Sequence, residues 1–247
     1  DQLPAGLVPN YRSDWHAQAS AMPRGPFSGM PHLSNAFAVE SFIDEIAHQM
    51  REDPLKTRLR ILGEPRQLPL GGDASLDVGR LRNVLQLVAD RIVWKNWLHS
   101  INGLGLACWH VDGAYVAHAI EVALQGQTLV VRRVACAVDV GRVVNPLGLE
   151  GQIAGATLDA LSLALHPAIT FKDGQVQQHG YKDYPLATMT ELPREVEVIT
   201  VPGDRDPSGA SFLAMPSVAP ALANAVFRAS AVRVRRLPLM KELMRLL

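Results

Sequence analysis

"LACWHVDGAYVAHAIEVALQGQTLVVRRVACAVDV", Leu106 to Val140, decides the architecture. Its residues are β-branched, aromatic and small, and polar and apolar positions partly alternate, the period-2 pattern of a pleated strand. Asp112-Gly113 and Gly126 cut the run with residues that tolerate positive φ, as hairpin turns require. The segment therefore predicts antiparallel strands.

Upstream the period changes. "SNAFAVESFIDEIAHQM" spaces Phe37, Val39, Phe42, Ile43, Ile46 and Met50 as a helix, with Ser34 or Asn35 as N-cap. Phe37, Phe42 and Ile46 are its expected core residues. Asp53-Pro54 ends it and opens a short second helix that closes at Gly63. "LPLGGD" reads as a linker, and Ser75 to about Leu98 as a longer helix with the stripe Leu81, Val84, Leu85, Val88 and Ile92. Residues 1–33 are rich in Pro and Gly and read as loop or extended chain. Downstream, Asn145-Pro146 turns the chain into "EGQIAGATLDALSLAL", a helix over Glu150–Leu165. A hairpin with Asp173-Gly174 at its tip follows, then the strand "REVEVITVPG", a long loop, and a small-residue helix starting near Pro216. The order predicts an α+β fold, antiparallel or mixed sheets with helices packed on one face. Two parts are expected: residues 1–100, a Pro/Gly-rich segment plus helices, and residues 101–247, the α+β part.

Bulk composition excludes several classes. Lys plus Arg equals Asp plus Glu at 24 each, which argues against a nucleic-acid or polyanion binder. The basic "VRVRRLPLMKELMRLL" at the end reads as a solvated rim. The two cysteines, Cys108 and Cys136, form no CxxC pair; they read as buried small apolar residues, with a disulfide as the alternative. The eight histidines show no HxxxH or HExxH spacing, so no zinc signature is present. No run approaches the ~20 apolar residues of a membrane helix. The opening "DQLPAGLVPNYRSDW" has neither Met nor a signal-peptide pattern, and reads as the middle of a processed or split polypeptide.

Chemistry concentrates where Gly-rich loops open helices. In "VDVGRVVNPLGLEGQIAGA", Gly151 bares the backbone and Gln152 adds one neutral amide, which can donate to an oxygen. A helix mouth with unpaired N–H groups is a seat for a phosphate or oxo group. The plainer reading is helix-to-sheet packing, with glycine because nothing larger fits. The segment is neither a Walker loop nor a dinucleotide fingerprint. In "PRGPFSGMPHLSNAF", Arg24 could pair an anion and Phe27 could stack on a flat ligand beside Gly25. In "DPSGASFLAMPSVAPALANAVF", Ala210 and Ser211 sit in a third such junction. The three junctions predict convergence on one elongated anionic ligand.

In this order, "NAFAVESFIDEIAHQMREDPLKTRLRIL", "VACAVDVGRVVNPLGLEGQIAGATLDALSLAL", "YKDYPLATM" and "MPSVAPALANAVF" resemble the C-terminal part of the molybdopterin-binding large subunit of the xanthine dehydrogenase/aldehyde oxidase family. The nearest branch is that of aldehyde dehydrogenases and the isoquinoline oxidoreductase beta chain. The resemblance implies a cofactor, molybdopterin with molybdenum in its cytosine dinucleotide form, buried between α+β domains. It implies oxidation of aldehydes or N-heterocycles with water as the oxygen source. It also implies partners: a chain carrying the N-terminal half of the large subunit, a small subunit with [2Fe-2S] clusters, and a cytochrome as a possible electron acceptor. A periplasmic site is favoured over a cytoplasmic one. Gln152 matches the family's glutamine beside the molybdenum oxo group, and no residue is implied to ligate the metal directly. Three departures stand out. Phe212 occupies the position of the glutamate that acts as general base. Ser28 occupies that of an arginine, with Arg24 across the turn. The family's first cofactor-binding half is missing from the chain. The alternative reading is a degenerate, non-catalytic paralogue with an assembly or scaffold role.

Overall fold

The structure, a computed structural model, describes residues 4–14, 16–17, 30–71, 74–126 and 128–246. Its centre is a four-stranded sheet of β3 (Gly103–Val111), β4 (Ala114–Gln125), β5 (Thr128–Asp139) and β8 (Val196–Thr200), side by side in that order. The first three strands run antiparallel, as their alternation predicts. Asp112 and Gly113 take φ of 45° and 80°, the left-handed pair of a tight hairpin. β8 adds parallel to β5, so the sheet is mixed.

Pairing partners share a face, and the two faces carry different helices. Gly103 and Gly105 of β3 lie opposite Val122 and Ile120. This face meets α5, Val218–Ser230. A Cβ on Gly103 would fall 2.0 Å from the Ala225 carbonyl, and one on Gly105 would fall 2.2 Å from that of Ala221. The small residues of α5 and these glycines bring helix and strand into backbone contact. The opposite face, with Tyr115 and Asp139, meets α3, Val78–Arg91: Arg80 of α3 bridges Asp139 at 2.5 Å and stacks over Tyr115. The expected α+β class holds, but helices flank both faces rather than one. The reason is the near-continuous burial of β3 and β4, which leaves neither face for water.

The helix α1 spans Met30–Gln49, four residues earlier than its expected cap. Its inward stripe is Ala36, Glu40, Ser41, Asp44 and Ala47. Phe42 is 61% exposed, and Phe37 and Ile46 are only half-buried, so the expected core residues of this helix are not its core. The inward carboxylates are paired. Arg58, fully buried in α2 (Pro54–Leu62), donates to Glu40 at 2.7 Å, and Arg233 reaches Asp44 at 3.0 Å. Asn224 ties the network to the sheet through the Leu106 carbonyl at 3.3 Å.

Other expectations shift. α2 starts at Pro54 and closes at Gly63 as expected, with Asp53 as its cap, accepting from Leu55 N–H at 2.8 Å. "LPLGGD" is not a plain linker: β1 (Gln67–Gly71) and β2 (Ala74–Asp77) form a two-stranded ribbon. α3 begins only where Asp77 caps it and stops before Val93, whose φ of 59° breaks the helix. The terminal segment is not only a rim. It forms α6, Leu239–Leu246, with Leu239 and Leu243 fully buried. A hairpin of β6 (Phe171–Lys172) and β7 (Gln175–Val176) turns at Asp173-Gly174 as expected. Both cysteines are buried and free, on opposite faces of the sheet.

Candidate functional site

The loop after β5 enters α4, Pro146–Leu165, through an Asn145 cap that accepts from Gly148 N–H at 3.0 Å. Pro146 at the first helical position needs no donor there. Leu149, Ile153, Thr157, Ala160, Leu161 and Leu165 face inward. Gly151, Gln152 and Gly155 are exposed, and beyond the helix's own neighbouring backbone no atom of the described residues lies within 4 Å of where a Cβ would stand on Gly151 or Gly155. Packing among the described residues therefore does not require these glycines. Gly151 and Gln152 are not at the helix mouth the sequence suggested: α4 begins at Pro146, so their N–H groups are already bonded within the helix, and what they present on its outer side is bare backbone surface and the Gln152 amide.

That entrance is laced to the loop leading to α5. Arg142 N–H donates to the Arg205 carbonyl at 2.8 Å, and Ser208 N–H to Val140 at 2.9 Å. Gly141, at φ 74°, leaves a would-be Cβ 2.6 Å from the Asp206 carbonyl. Only glycine combines that φ with that contact. The two loops run side by side, so the segment holding Gln152 and the turn at Ala210, Ser211 and Phe212 start from one clasp.

A second tie lies deeper. His118 of β4 is fully buried, with Nδ1 2.8 Å from Ser217 Oγ and Nε2 3.0 Å from Thr157 Oγ1. Thr157 spends its own proton on the Ile153 carbonyl at 2.8 Å. Its oxygen must therefore accept from His118 Nε2–H, and Ser217 must donate to Nδ1. Burial lowers the His118 pKa to about 3, so the ring stays neutral. One imidazole thus joins β4, α4 and the first residue before α5. Sequence reading missed it. The signal was a polar residue at an inward position of an alternating strand.

The turn closes through Met215 N–H to the Phe212 carbonyl at 3.1 Å. Phe212 is half-buried, with its ring stacked on His32 of α1, centroids 6.3 Å apart. Trp109 of β3, fully buried, donates from Nε1 to His32 Nδ1 at 3.1 Å. The start of α1 therefore meets the third junction. Arg24, Gly25, Phe27 and Ser28 lie outside the described residues. Three of the acids that precede Phe212 in sequence are engaged elsewhere. Asp206 pairs with Arg142 at the surface, Glu191 holds His166 and Thr188, and Glu197 binds Arg91 and Arg133 on the α3 face. Among the described residues no group of three or more His, Cys, Asp or Glu side chains is placed to hold a metal ion. No helix among them is long and apolar enough to cross a membrane.

With this geometry in place, the likeness to known proteins falls into line. Residues 108–193 match the model of a molybdopterin cofactor-binding domain. A nicotinate dehydrogenase chain of Pseudomonas putida is 32% identical over 262 aligned positions, 97% of this chain and 20% of that protein. The isoquinoline 1-oxidoreductase beta chain of Brevundimonas diminuta is 34% identical over 209 positions, 82% of this chain and 25% of that protein. The fold resembles quinoline 2-oxidoreductase from Pseudomonas putida 86, with TM-score 0.75 at 13% identity, over 86% of this chain and 52% of that one. It also resembles the aldehyde oxidoreductase from Desulfovibrio gigas, with TM-score 0.74 at 14% identity, over 90% and 41%. The chain belongs to the molybdopterin-binding subunits of the xanthine dehydrogenase/aldehyde oxidase family. It spans about a fifth to a quarter of the length of the two relatives.

Proposed function

We propose that this chain is one part of a molybdenum hydroxylase-type oxidoreductase acting on aldehydes or N-heterocycles. The observation that carries the reading is the outer side of α4, where Gly151 and Gly155 stand bare with no packing reason among the described residues. Gln152 sits between them, on the helix whose entry loop is bonded to the loop leading to the Phe212 turn. Bound there, molybdopterin would supply the redox-active metal and its oxygen chemistry. This chain's residues would do simpler work. The glycines let a bound group come close to the helix surface, and the Gln152 amide donates a neutral, preorganised hydrogen bond to an oxygen. Ala210 and Ser211 would line the second side; Arg24, Gly25 and Phe27, which lie outside the described residues, are the candidates for the third. On this reading the cofactor is the cytosine dinucleotide form, and electrons leave to a small [2Fe-2S] subunit and on to a cytochrome in the periplasm. Another chain carries the rest of the cradle, so the isolated chain is inactive.

A specific observation favours a second reading, a non-catalytic paralogue with an assembly role. Phe212 fills the expected base position with a ring packed on His32, and Asp206, Glu191 and Glu197 are paired elsewhere. A general base is worth ~10²–10⁴ in rate, which an active enzyme would have to recover elsewhere. Metal analysis of the assembly purified with its partners separates the two. Molybdenum near one per complex supports the oxidoreductase, and none supports the scaffold. With molybdenum present, Gln152→Ala lowers retention or turnover; an unchanged assembly counts against this placement. Phe212→Glu restores some turnover only if the cofactor is bound and the acid is the missing part.

A further inference from the structure

The pair His32–Trp109 has a fixed direction. Trp109 Nε1 lies 3.1 Å from His32 Nδ1, and an indole N–H can only donate. Nδ1 must therefore present its lone pair, which leaves the neutral ring's proton on Nε2. The lock is rigid on one side, because Trp109 is fully buried in β3. On the other, the His32 ring lies stacked on Phe212 at an interplanar angle of 29°. His32 is half-buried and makes no second hydrogen bond among the described residues.

A neighbouring imidazole is also left incomplete. The His110 ring sits 6.1 Å from that of Trp109. His110 is 8% exposed, and its Nε2 is buried with no partner among the described residues. Burial lowers its pKa to about 4, so it too is neutral. A buried polar atom without a partner is destabilising, a penalty that a bound polar group would remove.

We propose that His32 is a binding residue of this site: a neutral imidazole locked by Trp109 into the form that offers an N–H beside Phe212, built to hold an acceptor oxygen of an anionic group such as a phosphate. The same lock keeps His32 from replacing the missing base. Nδ1 is engaged and Nε2 already carries its proton, so neither nitrogen is free to accept another. The inference rests on the reading that the Ala210–Leu213 turn faces a ligand. It adds to that reading a donor where the resemblance calls for an acid.

Imidazole ¹⁵N NMR of this chain at about pH 8.5, where an ordinary histidine is neutral, tests the lock. His32→Gln assigns the resonance. The expected spectrum has His32 protonated on Nε2 alone; protonation on Nδ1 overturns the proposal. Trp109→Phe frees Nδ1 and yields mixed tautomers. Should that variant not fold, the wild-type tautomer still decides. Inorganic phosphate, titrated at constant ionic strength against chloride, tests the binding role. Phosphate should move the His32 Nε2 signal while chloride does not. His32→Gln, which keeps a donor, should bind nearly as well. His32→Phe, which keeps only the ring, should bind about tenfold more weakly, the ratio expected for one lost hydrogen bond. An unmoved signal, or equal binding by His32→Phe, overturns the proposal. Either failure leaves the molybdenum content of the assembly untouched, and absence of molybdenum would sink the cofactor reading without altering the His32 tautomer.

Discussion

Glycines do opposite work on the two helices that flank the clasp. Opposite α5, Gly103 and Gly105 are required by packing, because any Cβ there would sit inside the helix backbone. On α4, Gly151 and Gly155 have no described residue near them beyond the helix itself. The first pair explains itself within this chain. The second pair has no cause among the described residues, and an exposed mid-helix glycine loses ~1 kcal/mol relative to alanine. Glycine tolerated at that cost points to something outside them that must approach the backbone.

The contrast can be broken at its packed end first. Gly105→Ala should cost at least about 3 kcal/mol in denaturant unfolding, because the obstacle is backbone and cannot rotate away. A cost below ~1 kcal/mol would mean α5 does not sit against β3 as described. Next comes the buried polar stripe of α1. Glu40→Ala leaves the Arg58 guanidinium, which is 1% exposed, with only the longer carboxylate contact to Asp44 at 3.7 Å, and should cost ~3–5 kcal/mol. A cost within ~0.5 kcal/mol would show that the pair is not formed.

The His118 node sets a pH dependence. Its folded pKa is depressed to about 3, below the ~6.5 of an unfolded histidine. The unfolded chain therefore binds the proton first. The node's stability is full above about pH 6.5 and falls as pH drops towards 3, by up to ~1.4 kcal/mol per unit. His110, depressed to about 4, acts in the same direction down to that pH. His118→Gln should flatten the acid limb of a stability–pH curve. A curve unchanged in slope would place the protonation elsewhere. Smaller still is Phe42→Ala. With its side chain 61% exposed, truncation should change the stability of this chain by under ~1 kcal/mol; a loss of ~3 kcal/mol would show it buried.

These cases show what a sequence reveals. The strands and their turns were legible because alternation and Asp-Gly are local signals. The clasp between the loops was half legible. Small residues marked both junctions, but the bonds joining Arg142 to Arg205 and Val140 to Ser208 span some sixty residues. α1 misled for the same reason. Its apolar residues keep helical spacing, yet the face turned inward carries Glu40 and Asp44. What makes that burial tolerable is Arg58 and Arg233, the latter 189 residues from Asp44. Hydrophobic periodicity cannot anticipate a distant counter-charge. The stacking of Phe212 on His32 was hidden likewise, because it joins two loop-to-helix junctions at opposite ends of the chain.

The most direct test measures two quantities on Gly155→Ala: unfolding stability of this chain, and molybdenum retained by the assembly with its partners. An α4 kept bare for a cofactor predicts stability unchanged or higher by up to ~1 kcal/mol, with molybdenum reduced. Lower stability with molybdenum content unaltered would contradict it, and would return the glycines of α4 to ordinary packing.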